Sequence, residues 1–409
     1  MIGQLVNSNT SILSLELLLI VAIFSTSILS NSTFNNYSTT ALAQPFIETV
    51  KHRDLVMDLG NGVKTNAQLT IPAVGNGPFP GVVLVPGSGA IDMNETLAPN
   101  TKPFWQISQY LSERGFVVLR YDKRGVGANS QIIDTNVWDN VTFEELKHDA
   151  ETALRVLTQQ PEVDKNQITL IGHSEGTLIA PRIAIEQENM TNATTAIKNI
   201  ILMGSAATTI ADLAYYQKVG IALEYMHQVL DRNHTGFVSL QEAIKDPLVG
   251  RFFVVNFGNY SSNSAAFIDI DRQIRPLLEK EFEEFTKADV NARCDNLEGC
   301  PIWFNSVAKL ENNINVIGNL SKSISVLMLN GENDPLTPVQ QSFLLEQRLT
   351  EVDHSDHTLI TYPALGHTFA ISPQWSTGLG PIEPYVLSDL HRWLSDRTHG
   401  SQGFIPYNH

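Results

Sequence analysis

Short apolar runs alternate with helix-like stretches along most of this chain, and that alternation restricts the possible folds. An apolar run without polar interruptions is typical of a strand covered on both faces of its sheet. Strands that alternate with helices form parallel sheets with helices on both sides. The sequence therefore predicts an α/β fold with a mostly parallel, doubly wound sheet. The predicted strands are 81–85, 116–121, 167–171, 199–203, 325–329 and 358–362, and the predicted helices are 103–114, 142–160, 175–188, 337–350 and 384–395.

The alternation stops between Met203 and Ser325, where the pattern is mostly helical. We interpret this interval as a mainly helical cap domain inserted into the α/β core. Near the start of the core, Asn61-Gly62 stands between two strand-like segments and favours the tight turn of an antiparallel hairpin. The predicted domains are the first part of the core, 44–204, the cap insertion, 205–322, and the second part of the core, 323–409.

The charge balance argues against one class of partner. The chain has 27 Lys and Arg residues against 43 Asp and Glu residues, which gives a formal net charge of −16. An acidic protein repels the phosphates of nucleic acids and the head groups of anionic membranes. We therefore expect neither nucleic acid nor an anionic membrane surface as a partner.

The N-terminal segment is typical of a targeting sequence. Residues 17–24 are uninterruptedly apolar, which is long enough for the core of a signal peptide and short for a membrane span. The small residues at 41–43 resemble a signal-peptidase site. We interpret residues 1–43 as a signal peptide or membrane anchor, with a disordered tail as the alternative, and expect an exported, extracellular or cell-surface protein. In such a protein Cys294 and Cys300 either close a small disulfide loop or stay reduced.

The segment Gly172-His173-Ser174-Glu175-Gly176 stands between a predicted strand and a predicted helix. In that context a G-x-S-x-G sequence forms a nucleophile elbow, a strained turn from which the central side chain projects between small glycines. Ser174 is therefore the candidate nucleophile. The alternative is a serine without a catalytic role in a glycine-rich turn. The predicted strand before the turn and the predicted helix after it favour the nucleophile. We interpret His173 as a packing residue.

A serine hydroxyl needs a base, and the base needs an orienting carboxylate. Asp334 and His367 each follow a predicted strand, so both are expected at the carboxyl edge of the sheet, where Ser174 also lies. We predict Asp334 as the orienting acid and His367 as the base, with Glu332 as the alternative acid. Residues 353–357 contain two Asp and two His, but their spacing favours a solvated loop over a metal site.

An oxyanion hole needs two backbone N–H groups, one after the nucleophile and one in the loop after an earlier strand. Glu175 supplies the first. Small residues follow the strand 81–85, and Ser88 among them is the candidate for the second, although the same loop could be a plain turn. Residues 121–127 resemble a phosphate loop but lack its Lys-Ser/Thr ending, so we interpret them as structural.

Five segments carry a family resemblance: 86–95, 120–127, 171–181, 331–338 and 366–367. With them the chain resembles the α/β-hydrolase superfamily, and within it the esterases related to dienelactone hydrolases and the serine aminopeptidase group. The order Ser, Asp, His is also that of α/β-hydrolases. The resemblance implies an α/β-hydrolase fold and covers nearly all of the chain after the leader except the insertion. Those relatives commonly have a His where this chain has Pro86, a Gly where it has Thr177 and an Arg-Asp pair where it has Met93-Asn94. These differences do not involve the three residues of the predicted triad.

Residues 231–242 match the twelve-residue EF-hand calcium loop, with oxygen-bearing residues at positions 1, 3, 5 and 9, a glycine at 6 and a glutamate at 12. Only two of the ligands are carboxylates, so we expect the weak affinity typical of extracellular modules. An EF-hand-like turn without metal is the alternative. The candidate ligands are Asp231, Asn233, Thr235, the carbonyl of Phe237, Ser239 and Glu242.

Together these patterns predict an exported serine hydrolase, a carboxylesterase that cleaves small-molecule esters through an acyl-enzyme. Its chemistry needs no cofactor, and calcium would have a structural role. A serine aminopeptidase that acts on short peptides is the alternative within catalysis, for which the acidic segment 279–284 would hold the substrate amine. Outside catalysis, the alternative is a calcium-stabilised surface binding module.

Overall fold

The computed structural model describes residues 49–189, 197–258, 266–287 and 301–398. The interpreted leader, residues 1–43, lies outside them, and so do Cys294 and Cys300. Export and the state of the two cysteines therefore stay predictions. Within the described ranges, every helix is too short or too polar to cross a bilayer.

The described elements follow one another in chain order. The strands are β1 (Val50–Asp58), β2 (Lys64–Pro72), β3 (Phe79–Val85), β4 (Val117–Tyr121), β5 (Val126–Gly127), β6 (Gln131–Ile132), β7 (Val163–His173), β8 (Ile197–Met203), β9 (Phe237–Ser239), β10 (Phe267–Asp269), β11 (Ser325–Gly331) and β12 (His357–Tyr362). The α-helices are α1 (Pro103–Ser112), α2 (Thr135–Trp138), α3 (Phe143–Thr158), α4 (Gly176–Asn189), α5 (Ile210–Tyr215), α6 (Ile221–Tyr225), α7 (Leu240–Ala243), α8 (Gly250–Phe257), α9 (Arg275–Thr286), α10 (Pro301–Val307), α11 (Asn313–Ile317), α12 (Val339–Glu351) and α13 (Pro384–Thr398).

A single large sheet organises the first of two units, which comprises described residues 49–214 and 301–398 and is here called the larger unit. Its eight strands have the order β1-β2-β4-β3-β7-β8-β11-β12. The strands from β4 to β12 in this order pair in parallel, while the β1–β2 hairpin joins antiparallel at one edge. The predicted α/β class and mostly parallel sheet are confirmed, and so is the hairpin at Asn61-Gly62.

Helices cover both faces of this sheet. In β3, Val82 and Leu84 belong to one hydrophobic cluster, with residues of α1 and α13, whereas Val83 and Val85 belong to the other, with residues of α3 and α4. All four side chains are fully buried. Because successive residues of a strand point to opposite faces, a strand covered on both sides must be apolar throughout.

The second unit, here called the smaller unit, contains described residues 215–258 and 266–287. Helical segments precede and follow its short ribbon, in which β9 and β10 pair antiparallel with Val238 opposite Ile268. The smaller unit extends over fewer residues than the predicted insertion, 205–322.

The difference lies in α10 and α11, which belong to the larger unit. Val307 and Ile317 are buried in its hydrophobic cluster. The side-chain amide of Asn313 donates hydrogen bonds to the carbonyl oxygens of Thr177, at 3.1 Å, and Ala206, at 3.0 Å. These contacts attach the end of the predicted insertion to the α/β core.

Candidate active site

Ser174 lies in the turn between β7 and α4, with a left-handed φ of +52° that is rare for a residue other than glycine. Close packing requires glycine at the two positions that flank this turn, 172 and 176. A Cβ atom on Gly172 would lie 2.2 Å from the carbonyl oxygen of Gly176, and one on Gly176 would lie 2.1 Å from that of Val85. Since no side chain tolerates such contacts, the G-x-S-x-G spacing follows from the packing. The turn has the strained form of a nucleophile elbow.

Asp334 follows β11, His367 follows β12, and their side chains meet. His367 Nδ1 is 2.7 Å from Asp334 Oδ2, and both residues are buried. The hydroxyl of Thr337 donates to Asp334 Oδ2 at 2.7 Å, and its backbone N–H donates to Oδ1 at 3.0 Å. Burial alone would raise the pKa of Asp334, but the charge and hydrogen bond of His367 lower it, together with Thr337. An ionised Asp334 orients His367 with its Nδ1–H toward the carboxylate, which leaves Nε2 free to act as a base.

The alternative acid has a different partner. Glu332 is exposed, and its Oε1 accepts a hydrogen bond from the Thr361 hydroxyl at 2.9 Å. In the stretch 353–357, Asp356 pairs with Arg397 at 2.6 Å. Across the described ranges, His, Cys, Asp and Glu side chains form no group of three or more that could hold a metal.

Backbone contacts bring Ser174 close to His367. The N–H of Ser174 donates to the carbonyl oxygen of Met203 at 2.9 Å. The next residue, Gly204, lies against the imidazole of His367, since a Cβ atom on Gly204 would be 3.2 Å from His367 Cε1. The rings of His173 and His367 have centroids 4.7 Å apart. The structure therefore places Ser174, Asp334 and His367 together at the carboxyl edge of the sheet.

The loop after β3 also reaches Ser174. A Cβ atom on Gly87 would lie 3.2 Å from Ser174 Cβ, so Ser88 is next to a residue in contact with the nucleophile. Within the described part of the chain, the backbone N–H groups of Ser88 and Glu175 are not used in hydrogen bonds. Both candidate oxyanion donors thus keep an N–H without a hydrogen-bond partner in the described structure.

The side chain of Glu175 has two partners that the sequence did not indicate. Lys123 Nζ lies 2.7 Å from Glu175 Oε2, and the two side chains are only 2% and 1% exposed. The indole N–H of Trp303, on α10, donates to the other carboxylate oxygen. The available signal for this pair was Lys123 itself, a lysine just after a buried strand. Nothing in residues 121–127 indicated that its partner would be Glu175.

A second buried pair lies behind the candidate triad. His173 Nδ1 is 2.9 Å from Glu95 Oε1, and His173 Nε2 is 3.0 Å from the carbonyl oxygen of His367. Burial opposes both charges, yet the mutual attraction lowers the pKa of Glu95 and raises that of His173. The sequence suggested only a packing role for His173 and none for Glu95, whose one signal is an acidic residue close to the small residues that follow β3.

The candidate calcium ligands lie in the smaller unit. Asp231 is buried, and its Oδ1 accepts hydrogen bonds from the N–H and hydroxyl of Thr235 at 2.9 and 3.1 Å. Its Oδ2 accepts from the N–H of Gly236 at 2.6 Å, where the backbone turns with a φ of +82°. The structure thus brings Asp231 and Thr235 together. The other candidates are Asn233, exposed in the loop, Phe237 and Ser239, on β9, and Glu242, exposed on α7.

A sequence profile described as the alpha/beta hydrolase fold matches residues 80–372. Esterase EstD of Thermotoga maritima is 38% identical to this chain over 138 residues. That match covers 34% of this chain and 30% of the esterase, so the chain spans less than a third of the length of this curated relative.

Solved structures share the fold at low sequence identity. A lipase in an open form superposes with a TM-score of 0.51 at 17% identity, over 85% of this chain and 99% of the lipase. The acylaminoacyl peptidase of Pyrococcus horikoshii gives a TM-score of 0.50 at 12% identity, over 88% of this chain and 44% of the peptidase. These similarities concern the fold alone.

Proposed function

This chain belongs to the α/β-hydrolase family, and from that membership we propose that it is a serine hydrolase that cleaves carboxylic esters of small molecules. The observation that carries the proposal is the strained Ser174 turn beside a buried carboxylate–imidazole pair, with 2.7 Å between His367 Nδ1 and Asp334 Oδ2. Such a constellation activates a serine hydroxyl for attack on a carbonyl carbon. The similarity to an esterase over 138 residues supports the ester as the substrate bond.

Each residue has a separate task in the proposed reaction. Ser174 Oγ attacks the ester carbonyl while His367 Nε2 takes its proton, and the N–H groups of Ser88 and Glu175 stabilise the oxyanion. The intermediate collapses to an acyl-enzyme as His367 returns the proton to the leaving alcohol. Water then attacks the acyl group with His367 as base again, which releases the acid and Ser174. Asp334 keeps His367 in the required tautomer throughout.

The described structure favours esters over peptides with a free N-terminus. The acidic segment 279–284 would have to present free carboxylates to bind a substrate amine. On α9, however, Glu283 pairs with Lys287, and Glu284 lies 3.7 Å from Lys280. Glu279 Oε1 accepts a hydrogen bond from the Tyr215 hydroxyl at 2.9 Å. Three of the four carboxylates in 279–284 thus have partners within the smaller unit, which supports a structural role for this segment over binding of a substrate amine.

The test is a substrate panel on the purified full-length protein. p-Nitrophenyl esters with acyl chains of increasing length are compared with aminoacyl p-nitroanilides, and Ser174→Ala serves as the background. We expect turnover of esters, with labelling of Ser174 by a fluorophosphonate probe. Turnover of the anilides in preference to the esters would make the protein an aminopeptidase. Equal ester turnover by folded Ser174→Ala would contradict the nucleophile.

We also propose that the smaller unit binds one calcium ion through residues 231–242. The pairing of β9 with β10 supports this proposal. When the loop is numbered from Asp231, Val238 is at position 8. Its partner across the ribbon, Ile268, also lies between two helical segments. The unit thus has two helix–strand–helix halves. Thirty residues after Glu242, the equivalent place in the second half is taken by Arg272, which cannot ligate a cation. One ion per chain is therefore expected.

We also propose that the protein is exported. The apolar run 17–24 and the small residues at 41–43 support a leader that directs the enzyme out of the cytoplasm. N-terminal sequencing of protein recovered from the cell surface or medium tests it. A mature chain that starts at or near Gln44 is expected, and a protein found only inside the cell would contradict it.

A further inference from the structure

Glu95 connects three segments that meet at Ser174. It lies in the loop between β3 and α1, has a left-handed φ of +55° and is 1% exposed. Its Oε1 accepts a hydrogen bond from the N–H of Gly87 at 3.1 Å and lies 2.9 Å from His173 Nδ1. The other ring nitrogen of His173 lies 3.0 Å from the carbonyl oxygen of His367. A single carboxylate therefore reaches the oxyanion loop directly and the backbone of the base through one imidazole.

The hydrogen-bond partners define the charge of that imidazole. The carboxylate oxygen of Glu95 and the carbonyl oxygen of His367 both accept hydrogen bonds. With Glu95 ionised, a ring between these two acceptors donates from both nitrogens, so the geometry fits a His173 imidazolium with Glu95 as its counter-ion. The directions of the two pKa shifts agree with this charge state, since burial is outweighed by the attraction within the pair.

The pair is poorly suited to a purely stabilising role. Buried ion pairs contribute little net stability, because both charges lose their hydration. In addition, Glu95 Oε2 is buried without a hydrogen-bond partner in the described part of the chain, which itself costs stability. A strained backbone, a buried charge pair and an unused carboxylate oxygen together are typical of a site that fixes geometry for function.

We infer that Glu95 is a positioning residue: it holds the oxyanion loop through the Gly87 N–H, and through a protonated His173 it holds the backbone of His367 in register with Ser174. The inference rests on the proposed serine-hydrolase function. Its effect is on the transition state, in which the oxyanion donor and the base must both be aligned, and a small displacement of such groups costs about 100-fold in rate.

The first test replaces the charge and keeps the shape. Glu95→Gln retains an acceptor for the Gly87 N–H but cannot neutralise a charged His173. We expect kcat for a p-nitrophenyl ester to fall about 10- to 100-fold with KM nearly unchanged, and the rate of fluorophosphonate labelling to fall in parallel. Glu113→Gln, the same change at an exposed site, is the matched control and should behave as wild type.

A double-mutant cycle separates positioning from general structural support. If Glu95 acts through His173, Glu95→Gln should lower kcat by less than about threefold when His173→Gln is already present. Multiplying effects of the two changes would show that they act independently and would overturn the inference. A folded Glu95→Gln variant with the wild-type kcat would also overturn the inference.

A spectroscopic test does not depend on any Glu95 variant folding. The ring nitrogens of His173 are observed by NMR in wild-type protein with ¹⁵N-labelled histidine, after triple-resonance assignment. Both should show imidazolium shifts at neutral pH, and a neutral tautomer would overturn the inference. Failure of the proposed function is distinguishable, because folded Ser174→Ala would then stay active. An inactive Ser174→Ala with an unaffected Glu95→Gln would contradict the role of Glu95 alone.

Discussion

The turn that carries Ser174 and the loop that begins at Asp231 are both sharp polar turns, but different parts of the chain hold them. At the Ser174 turn, His173 pairs with Glu95, 78 residues away, and Glu175 pairs with Lys123, 52 residues away. In the other loop, Asp231 accepts its hydrogen bonds from residues four and five positions later. The first turn is held by charge pairs with distant residues, whereas Asp231 is held by its own neighbours and only the second half of its loop, at β9, pairs with the more distant β10.

The difference indicates how each site reaches its working geometry. Long-range contacts carry a cost in loop-closure entropy and form only with the whole sheet, so the Ser174 site is arranged before substrate arrives. The first half of the other loop, where Asp231 makes only local side-chain hydrogen bonds, opens more easily. Exposed ligands such as Asn233 and Glu242 would then be ordered by the ion itself.

The largest expected effect concerns the residues brought together at the Ser174 site. Ser174→Ala and His367→Ala should each lower kcat by about 10⁴- to 10⁶-fold, and the double variant should be hardly worse than either, because triad members act as a unit. Steady-state kinetics on a p-nitrophenyl ester measures the loss, with unfolding curves as the control for folding. Losses that multiply in the double variant would mean that the two residues do not act together.

The orienting acid is the next test. Asp334→Asn should lower kcat by about 10⁴-fold, since an amide at this position favours the wrong tautomer of His367. Glu332→Gln is the matched control, two residues away and exposed, and should change kcat by less than about twofold. If Glu332→Gln proved the more damaging change, the acid would be wrongly assigned.

The Lys123–Glu175 pair tests how firmly distant residues hold the nucleophile turn. Lys123→Met leaves a buried, unpaired carboxylate, so the free energy of unfolding should fall by about 3–5 kcal/mol. Lys147→Met is the control, because its carboxylate partners are largely exposed, and should cost about 0–1 kcal/mol. Denaturant unfolding measures both, and equal losses would remove the distinction between the two kinds of pair.

The smallest effect is expected in the loop that begins at Asp231. Calcium at ten times its dissociation constant should stabilise the wild type by about 1.4 kcal/mol, because it binds only the folded state. Glu242→Gln should abolish that gain, whereas Glu283→Gln, an exposed acid on α9, should retain it. Thermal unfolding in calcium and in chelator measures the gain, and titration calorimetry counts the ions. Identical wild-type curves in both buffers would leave an EF-hand-like turn without metal.

The α/β fold and the placement of Ser174 could be predicted because their determinants are local. Val82 to Val85 are apolar on both faces of a covered strand, and Gly172 packs against Gly176 within the turn itself. Asp334 and His367 were found because each follows a strand, and parallel strands bring their ends to one edge.

The remaining features depend on contacts between distant segments. Nothing near Glu95 indicates His173 as its partner, and nothing near Lys123 indicates Glu175. The smaller unit is shorter than the predicted insertion for a related reason, since the helical pattern around Val307 and Ile317 does not reveal which surface will cover it. Sequence patterns give the period of an apolar face, whereas its partner depends on the complete fold.

The position of β7 and β12 in the sheet has a consequence for biosynthesis. Ser174 follows β7, in the middle of the strand order, whereas His367 follows β12, at its edge and about 190 residues later in the chain. At about 5–20 residues per second, a ribosome completes the base about 10–40 s after the nucleophile. A nascent chain therefore carries an unactivated serine until His367 has been added, and the proposed hydrolase cannot act until the last strand of the sheet has docked.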